Sequence, residues 1–154
     1  MPQEKALDAY LIIGNPNTRK ASLVRSLTGC FNRSVRDIVM EGVKAPVRVY
    51  ARVGTLQDSG TSVEAFFEEV SRARCQAVIC CLAPSAVPGH TLDRPDAQAY
   101  VAGFKAAGWR IKAVAVLGQN GGGVRATNLR QYPAAPTAPI NLTAREIRAQ
   151  FGWA

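Results

Sequence analysis

The chain contains three short apolar runs, at residues 9–13, 77–82 and 113–117. A continuous apolar run of this length is typical of a strand in a parallel sheet that is covered on both faces. Loop signals and helical periodicity follow the runs, which favours strand–helix–strand crossovers. We therefore predict an α/β fold with a doubly wound, mostly parallel sheet, helices on both faces, and the three runs as adjacent central strands. Residues 1–154 are predicted to form a single domain.

The predicted helices between these strands start and stop at capping signals. The first ends at Gly29, a glycine at the C-cap. Capping boxes, in which Ser or Thr is followed three residues later by Glu, predict the starts of two others: Thr61 with Glu64, and Thr143 with Glu146. Asp93 is the predicted cap of the helix between them, with Pro95 in its first turn. The last helix is expected to end at Gly152, with Trp153 docking against the core.

Residues 47–53 show the clearest alternation of apolar and polar side chains, which predicts a strand. Its apolar positions are Val47, Val49, Ala51 and Val53, and its other face carries Arg48, Tyr50 and Arg52. Together with residues 34–40 it is expected to form an antiparallel pair at one side of the sheet. The polar face predicts that the sheet is incompletely covered there, or that Arg48 and Arg52 contact a partner.

Residues 119–139 are rich in glycine and proline and have no hydrophobic period. A segment of this length without structure of its own is typical of functional or mobile loops. We interpret it as an excursion from the domain, and we expect a short sixth strand after it, at residues 139–142.

The segment at residues 9–29 carries the candidate chemistry. A buried strand ends at Gly14, a turn follows, and Lys20 lies at the N-terminus of a helix. The unpaired amides and the dipole of a helix N-terminus favour anions. The candidate nucleotide- or phosphate-binding residues are Gly14, Asn15, Asn17, Arg19, Lys20 and Ser22.

This segment resembles the phosphate-binding loop of a GTPase family. The residues Gly14-Asn15-Pro16-Asn17, Lys20, Leu23 and Leu27-Thr28-Gly29 are similar to the run G-N-P-N-x-G-K-[ST]-[ST]-L-x-x-x-L-T-G of Era-like bacterial GTPases and of the ferrous-iron transporter G domain. The resemblance implies a P-loop NTPase-like fold, in which loop amides cradle phosphates, the lysine contacts the β- and γ-phosphates and a hydroxyl binds magnesium.

The residues that would perform the chemistry of that family are replaced. Arg19 stands at the second glycine of the loop, where it is expected to crowd the loop or change its conformation. Ala21 replaces the magnesium-binding hydroxyl, although Ser22 keeps a hydroxyl for an α-phosphate. The D-x-x-G motif aligns with residues 51–54 without its aspartate, and N-K-x-D aligns with residues 118–121 without its asparagine or aspartate. The resemblance therefore implies a degenerate domain without GTP hydrolysis, to which we assign no catalytic or metal-binding residue.

The composition is that of a basic globular protein, with 47% hydrophobic residues, 19% charged residues and a net charge of +8. Such a charge attracts nucleic acids, nucleotides or anionic membranes without specifying which. No apolar run approaches the ~20 residues of a membrane span, and residues 1–5 do not resemble the start of a signal peptide, so a cytoplasmic location is expected. The four cysteines and the single histidine lack metal-binding spacing, and magnesium is not expected.

Three functions fit the sequence. The first is a degenerate P-loop domain that binds a protein partner, and binds a nucleotide or phosphate only weakly. The second is an enzyme or switch that binds a nucleoside phosphate through Lys20, Arg19, Ser22 and the loop amides, with an altered base pocket. The third is a nucleic-acid-associated module that uses Arg48, Arg52 and the arginine-rich last third. We prefer the first, in which the chain is not an enzyme.

Overall fold

The computed structural model describes residues 7–15, 18–84 and 96–154. In chain order its elements are β1 (Asp8–Gly14), α1 (Lys20–Thr28), β2 (Arg33–Ile38), β3 (Val47–Thr55), α2 (Val63–Ala73), β4 (Ala77–Leu82), α3 (Ala97–Ala106), β5 (Arg110–Leu117), β6 (Leu129–Tyr132) and α4 (Ile140–Phe151). The strands form a six-stranded sheet in the order β2-β3-β4-β1-β5-β6. Among the strand pairs of the described residues, β2 with β3 is antiparallel, as predicted, and the others are parallel, so the α/β fold class is confirmed.

The strand β1 lies at the centre of the sheet. It pairs in parallel with β4 on one side and with β5 on the other, which confirms that the three apolar runs are adjacent central strands. Apolar side chains of α1 and α4 pack on one face of these strands, and those of α2 and α3 pack on the other. Because helices cover both faces, the central strands need apolar residues at every position instead of an alternating pattern.

The polar face of β3 is covered by α2 at Tyr50 and Arg52 but not at Arg48, so the predicted incomplete cover is limited to one end of the strand. Arg52 is 7% exposed, and its guanidinium donates to Glu69 at 2.6 Å. The guanidinium also donates to the hydroxyls of Ser59 and Thr61, at 2.8 and 3.0 Å. These partners allow a charged residue to be buried between a strand and a helix. Arg52 therefore belongs to the sheet–helix interface, not to an exposed nucleic-acid-binding face, whereas Arg48 is exposed.

Two helices begin at residues other than the predicted caps. Ser62 caps α2 by accepting a hydrogen bond from the Ala65 amide, because the hydroxyl of Thr61 is occupied by Arg52. Asp96 caps α3 by accepting from the Ala99 amide. The predicted cap Asp93 lies outside the described residues, as does Pro95. Local sequence signals thus located these helices, but not the residues that cap them.

The last helix begins earlier than predicted. Because α4 starts at Ile140, Thr143 is buried inside the helix and caps nothing, and no strand forms at residues 139–142. The helix ends as predicted at Gly152, whose φ is 74°, and Trp153 is buried. At 12 residues α4 is too short to span a bilayer, and the described part of the chain holds no membrane-crossing helix.

The glycine-rich segment after β5 is packed, and it contains the sixth strand of the sheet, β6, which corrects the prediction of an unstructured excursion. Gly122 and Gly123 have φ values of 64° and 79°, a left-handed region that favours glycine. A Cβ atom would collide with the backbone of Pro84 at the first position and with the side chain of Gln98 at the second. The glycines are therefore explained by backbone conformation and close packing.

Candidate functional site

The connection between β1 and α1 leaves the sheet at Gly14, at the carboxyl edge of the parallel strands. It leads to α1, on one face of the sheet, whereas the neighbouring strand β4 is followed by α3, on the opposite face. Adjacent strands with connections to opposite faces leave a crevice between their carboxyl ends, and open α/β sheets bind ligands there. The predicted site is therefore placed where this class of fold binds ligands.

Lys20 is the buried cation of this loop. It is 7% exposed, and its ammonium donates to the carbonyl oxygens of Gly14 at 2.7 Å and of Asn15 at 2.9 Å. Burial lowers the pKa of Lys20, and the nearby Cys81 and Asp58 partly oppose this shift. An ammonium has three protons, and the described residues supply hydrogen-bond acceptors for two of them. The remaining proton could be donated to an anion.

Arg19, which precedes α1, has a backbone conformation that glycine favours. Its φ is 71° and its ψ is 30°, in the left-handed region. Its guanidinium turns to the segment before α4 and donates to the carbonyl oxygen of Ala138 at 2.6 Å. We expected arginine to crowd the loop or to change its conformation. The backbone of Arg19 has the left-handed conformation that a glycine at this position would adopt easily. The Arg19 side chain is held by the carbonyl oxygen of Ala138.

Contacts with neighbouring loops fix Gly14 and Asn15. A Cβ atom at Gly14 would collide with the Thr18 hydroxyl and lie 3.2 Å from the carbonyl oxygen of Leu117, so only glycine fits. The Thr18 hydroxyl donates to the Asn15 carbonyl at 2.7 Å, and the Asn120 amide donates to the Asn15 side-chain oxygen at 3.1 Å. These two hydrogen bonds tie Asn15 to Thr18 and to Asn120.

The predicted site residues do not all come together. Gly14, Asn15 and Lys20 are joined directly by the hydrogen bonds of the ammonium. Arg19 points toward Ala138, and Ser22 is exposed on the first turn of α1. Asn17 lies outside the described residues.

The position aligned with the missing aspartate of D-x-x-G lies in the apolar core. Ala51 is completely buried in the cluster beneath α1. Beyond it β3 contains an irregularity, since Ala51 is level with Ile79 and Thr55 is level with Cys81. Gly54, which matches the glycine of the motif, is exposed within this irregular stretch. The strand therefore pairs regularly up to Ala51 and departs from regular pairing between Ala51 and Thr55.

Sequence reasoning missed several residues that surround the loop: Thr18, Asp58, Cys81 and Asn120. Cys81 lies near the end of β4, and Asp58 and Asn120 lie in the loops that follow β3 and β5. The carboxyl ends of parallel strands meet at one edge, so the predicted strand order could have identified them as neighbours.

Two variants of Arg19 test the left-handed conformation. We expect Arg19→Gly to be more stable than Arg19→Ala by about 1 kcal/mol, because both lose the bond to Ala138 but only alanine keeps the left-handed strain of roughly 1–2 kcal/mol. Urea unfolding measures the difference. The same pair at Ser22, inside α1, should have the opposite sign, since glycine is poorer than alanine in a helix. An Arg19→Gly protein no more stable than Arg19→Ala would contradict the conformation.

Comparisons with protein-family models, with curated proteins and with solved structures found no match. Within residues 7–15, 18–84 and 96–154, no group of three or more His, Cys, Asp or Glu side chains could hold a metal ion. The functional argument therefore depends on the geometry and charge of the loop and of the surfaces around it.

Proposed function

We propose that this chain is a P-loop-like binding module that interacts with a protein partner, binds nucleotides at most weakly and does not hydrolyse GTP. The observation that supports this proposal best is the engagement of both cations of the β1–α1 loop. Lys20 donates to the carbonyl oxygens of Gly14 and Asn15, and Arg19 donates to that of Ala138. A phosphate must compete with these oxygens for the same donors.

The affinity of the loop for anions is expected to be low for the same reason. Among the described residues, two protons of Lys20 have acceptors, which leaves one for an anion beside the N-terminus of α1, and each such electrostatic contribution is typically about 0.3–1 kcal/mol. A few contributions of this size support only weak binding, in contrast to a loop that surrounds a phosphate with donors. The loop thus keeps an anion-binding position without the donors needed for tight binding.

GTP hydrolysis is expected to be absent. Magnesium neutralises the charge that develops in phosphoryl transfer, and Ala21 and Ala51 stand where the resembling family has a magnesium-binding hydroxyl and carboxylate. A sensitive phosphate-release assay with magnesium should give the same background for the natural protein and for Lys20→Ala. Turnover that disappears in Lys20→Ala would refute this part of the proposal.

A repaired loop tests the relation to nucleotide-binding domains. The double variant Arg19→Gly with Ala21→Ser removes the bond to Ala138 and restores both family residues. We expect it to bind GDP or GTP more tightly than the natural protein in calorimetric titrations with magnesium, with Ala21→Ser alone as the control. No gain in affinity for the double variant would mean that the loop is not a derivative of the P-loop, and would count against the proposal.

Exposed apolar side chains beside β2 support binding of a protein. Phe31, just before this strand, is 78% exposed, and Val39, just after it, is 55% exposed. β2 is at the edge of the sheet, and unpaired strand edges readily accept a further strand.

Affinity isolation with matched variants tests this surface. Phe31→Ser should lose a protein that the natural chain retains. Leu142→Ser, which alters an equally apolar side chain 48% exposed on α4, should retain it. Equal retention by all three proteins would exclude the β2 edge as the binding surface.

A further inference from the structure

A polar pocket lies beside β3. It has a volume of about 420 Å³ and is lined by Asn32, Arg33, Arg52, Gly54, Ser59 and Thr61. Its lining shares no residue with the loop at residues 15–19. A volume of this size falls in the range of small-molecule sites, which is about 300–1,000 Å³. The pocket is therefore large enough for a small ligand of its own.

The pocket is positively charged. Its described lining contains two guanidinium groups, those of Arg33 and Arg52, and no carboxylate. Both groups donate to one acidic side chain behind the pocket, Glu69, at 2.8 and 2.6 Å. One carboxylate neutralises only one of the two charges, so a net positive charge remains at the pocket.

The guanidinium of Arg52 is held in place by its protein partners. The side chain of Arg52 is 9% exposed, and Glu69, Ser59 and Thr61 hold its guanidinium in one orientation. Ser59 and Thr61 are themselves bonded to each other at 2.8 Å. A rigid, partly desolvated arginine with adjacent hydroxyl groups favours recognition of a phosphate or carboxylate oxygen.

Arg33 supplies the adjustable part of the pocket. Its side chain is 61% exposed and bonds Glu69 through one terminal nitrogen, Nη1. A guanidinium has five N–H donors, and in the described part of the chain only this one nitrogen of Arg33 is engaged. The remaining donors of Arg33 can turn toward a ligand beside Arg52.

We propose that this pocket binds a small phosphomonoester. The two guanidinium groups match the double negative charge of such a group near neutral pH, since the second phosphate pKa is about 6. Asn32, Ser59 and Thr61 line the same space, and the Ser59 hydroxyl also lies 3.1 Å from the carbonyl oxygen of Leu56, so the guanidinium groups are the principal donors toward a ligand. A carboxylate would offer one charge to the same donors and is expected to bind more weakly.

Titrations followed by amide NMR shifts test the assignment of this pocket. The probes are inorganic phosphate, glycerol phosphate and acetate, each added to the whole protein. We expect saturable shifts at Gly54, Ser59 and Thr61, with glycerol phosphate binding more tightly than acetate. Shifts confined to residues near Lys20 would assign the anion to the β1–α1 loop and would overturn the proposal. The absence of any shift would also overturn it. The amide shifts of the pocket and of the β1–α1 loop are measured separately. A pocket that does not bind anions therefore leaves the proposed function of the β1–α1 loop unchanged.

Charge-matched variants separate a site from general attraction to a basic protein. Arg33→Gln removes an exposed arginine of the pocket and should weaken glycerol phosphate binding at least about tenfold, the loss expected for one charge-assisted hydrogen bond. Arg48→Gln removes the same charge from an exposed position outside the pocket and should leave the affinity unchanged. Equal losses in the two variants would show nonspecific attraction and would overturn the proposal.

In folded protein, Arg52→Lys should also weaken binding, because lysine keeps the charge but lacks the planar fork.

Discussion

Replacing Glu69 with alanine is expected to destabilise the fold by about 2–4 kcal/mol, because it leaves a buried guanidinium without its carboxylate. Arg52 is nearly enclosed between β3 and α2, and its bond to Glu69 is 2.6 Å long. Breaking a fully buried ion pair at one side typically costs about 3–5 kcal/mol. Glu69 is 20% exposed, so water can partly replace it and the expected loss is smaller.

The neighbouring residue provides the control. Glu68 is exposed on the same helix, so Glu68→Ala makes an identical chemical change without breaking the Arg52 pair. Urea unfolding should show a loss for Glu69→Ala and a change within about 0.5 kcal/mol for Glu68→Ala. Equal stabilities would mean that Arg52 does not depend on Glu69, and the electrostatic description of the pocket would then be wrong.

The second large effect is a loss of stability in alkaline solution. Burial raises the pKa of the thiols of Cys75, Cys80 and Cys81 and of the phenols of Tyr10, Tyr50 and Tyr132. The pKa of Cys81 rises from 9.0 to about 12, and that of Tyr132 from 10.0 to about 12. In the unfolded chain these groups ionise at lower pH than in the fold.

The sign of the effect follows from proton binding. Between the unfolded and folded pKa values the native state binds more protons than the unfolded state, so stability falls as pH rises. The stability is fully present below pH 9.0 for Cys81 and is lost progressively toward pH 12. Each such group removes up to about 1.4 kcal/mol per pH unit while it titrates, so several together remove a substantial part of a typical stability of about 5–15 kcal/mol. The lowered pKa of Lys20 has the opposite sign below pH 10.5 and offsets only one group.

Unfolding free energies measured from pH 8 to pH 11 test this prediction. The Cys81→Ala variant should lose stability less steeply above pH 9.0, by about 1.4 kcal/mol per pH unit, because one buried thiol is removed. Val78→Ala, on the same strand, creates a cavity without removing a titrating group and should keep the natural slope. A slope for Cys81→Ala that equals the slope for Val78→Ala would contradict the role of the Cys81 thiol.

The sequence by itself determined the α/β class and the arrangement of the central strands. The three apolar runs predicted the neighbours β4, β1 and β5, because strands covered on both faces must be apolar throughout. It also located the loop before α1, since a glycine turn and a lysine at a helix start leave a local signal. Gly29 and Gly152 end their helices as predicted, because a left-handed C-cap favours glycine.

Only the tertiary structure decided the roles of Arg52, Arg19 and Gly122. The sequence pattern places Arg52 on the polar face of a strand, but in the structure its burial depends on Glu69, seventeen residues away in the chain. The sequence pattern identifies Arg19 only as a basic loop residue, but in the structure its guanidinium donates to the carbonyl oxygen of Ala138, 119 residues away in the chain. Gly122 reads as part of a flexible run, whereas Pro84 leaves no room for a side chain there. Such contacts join segments distant in sequence, so they leave no local pattern of spacing, and folding alone brings their atoms together.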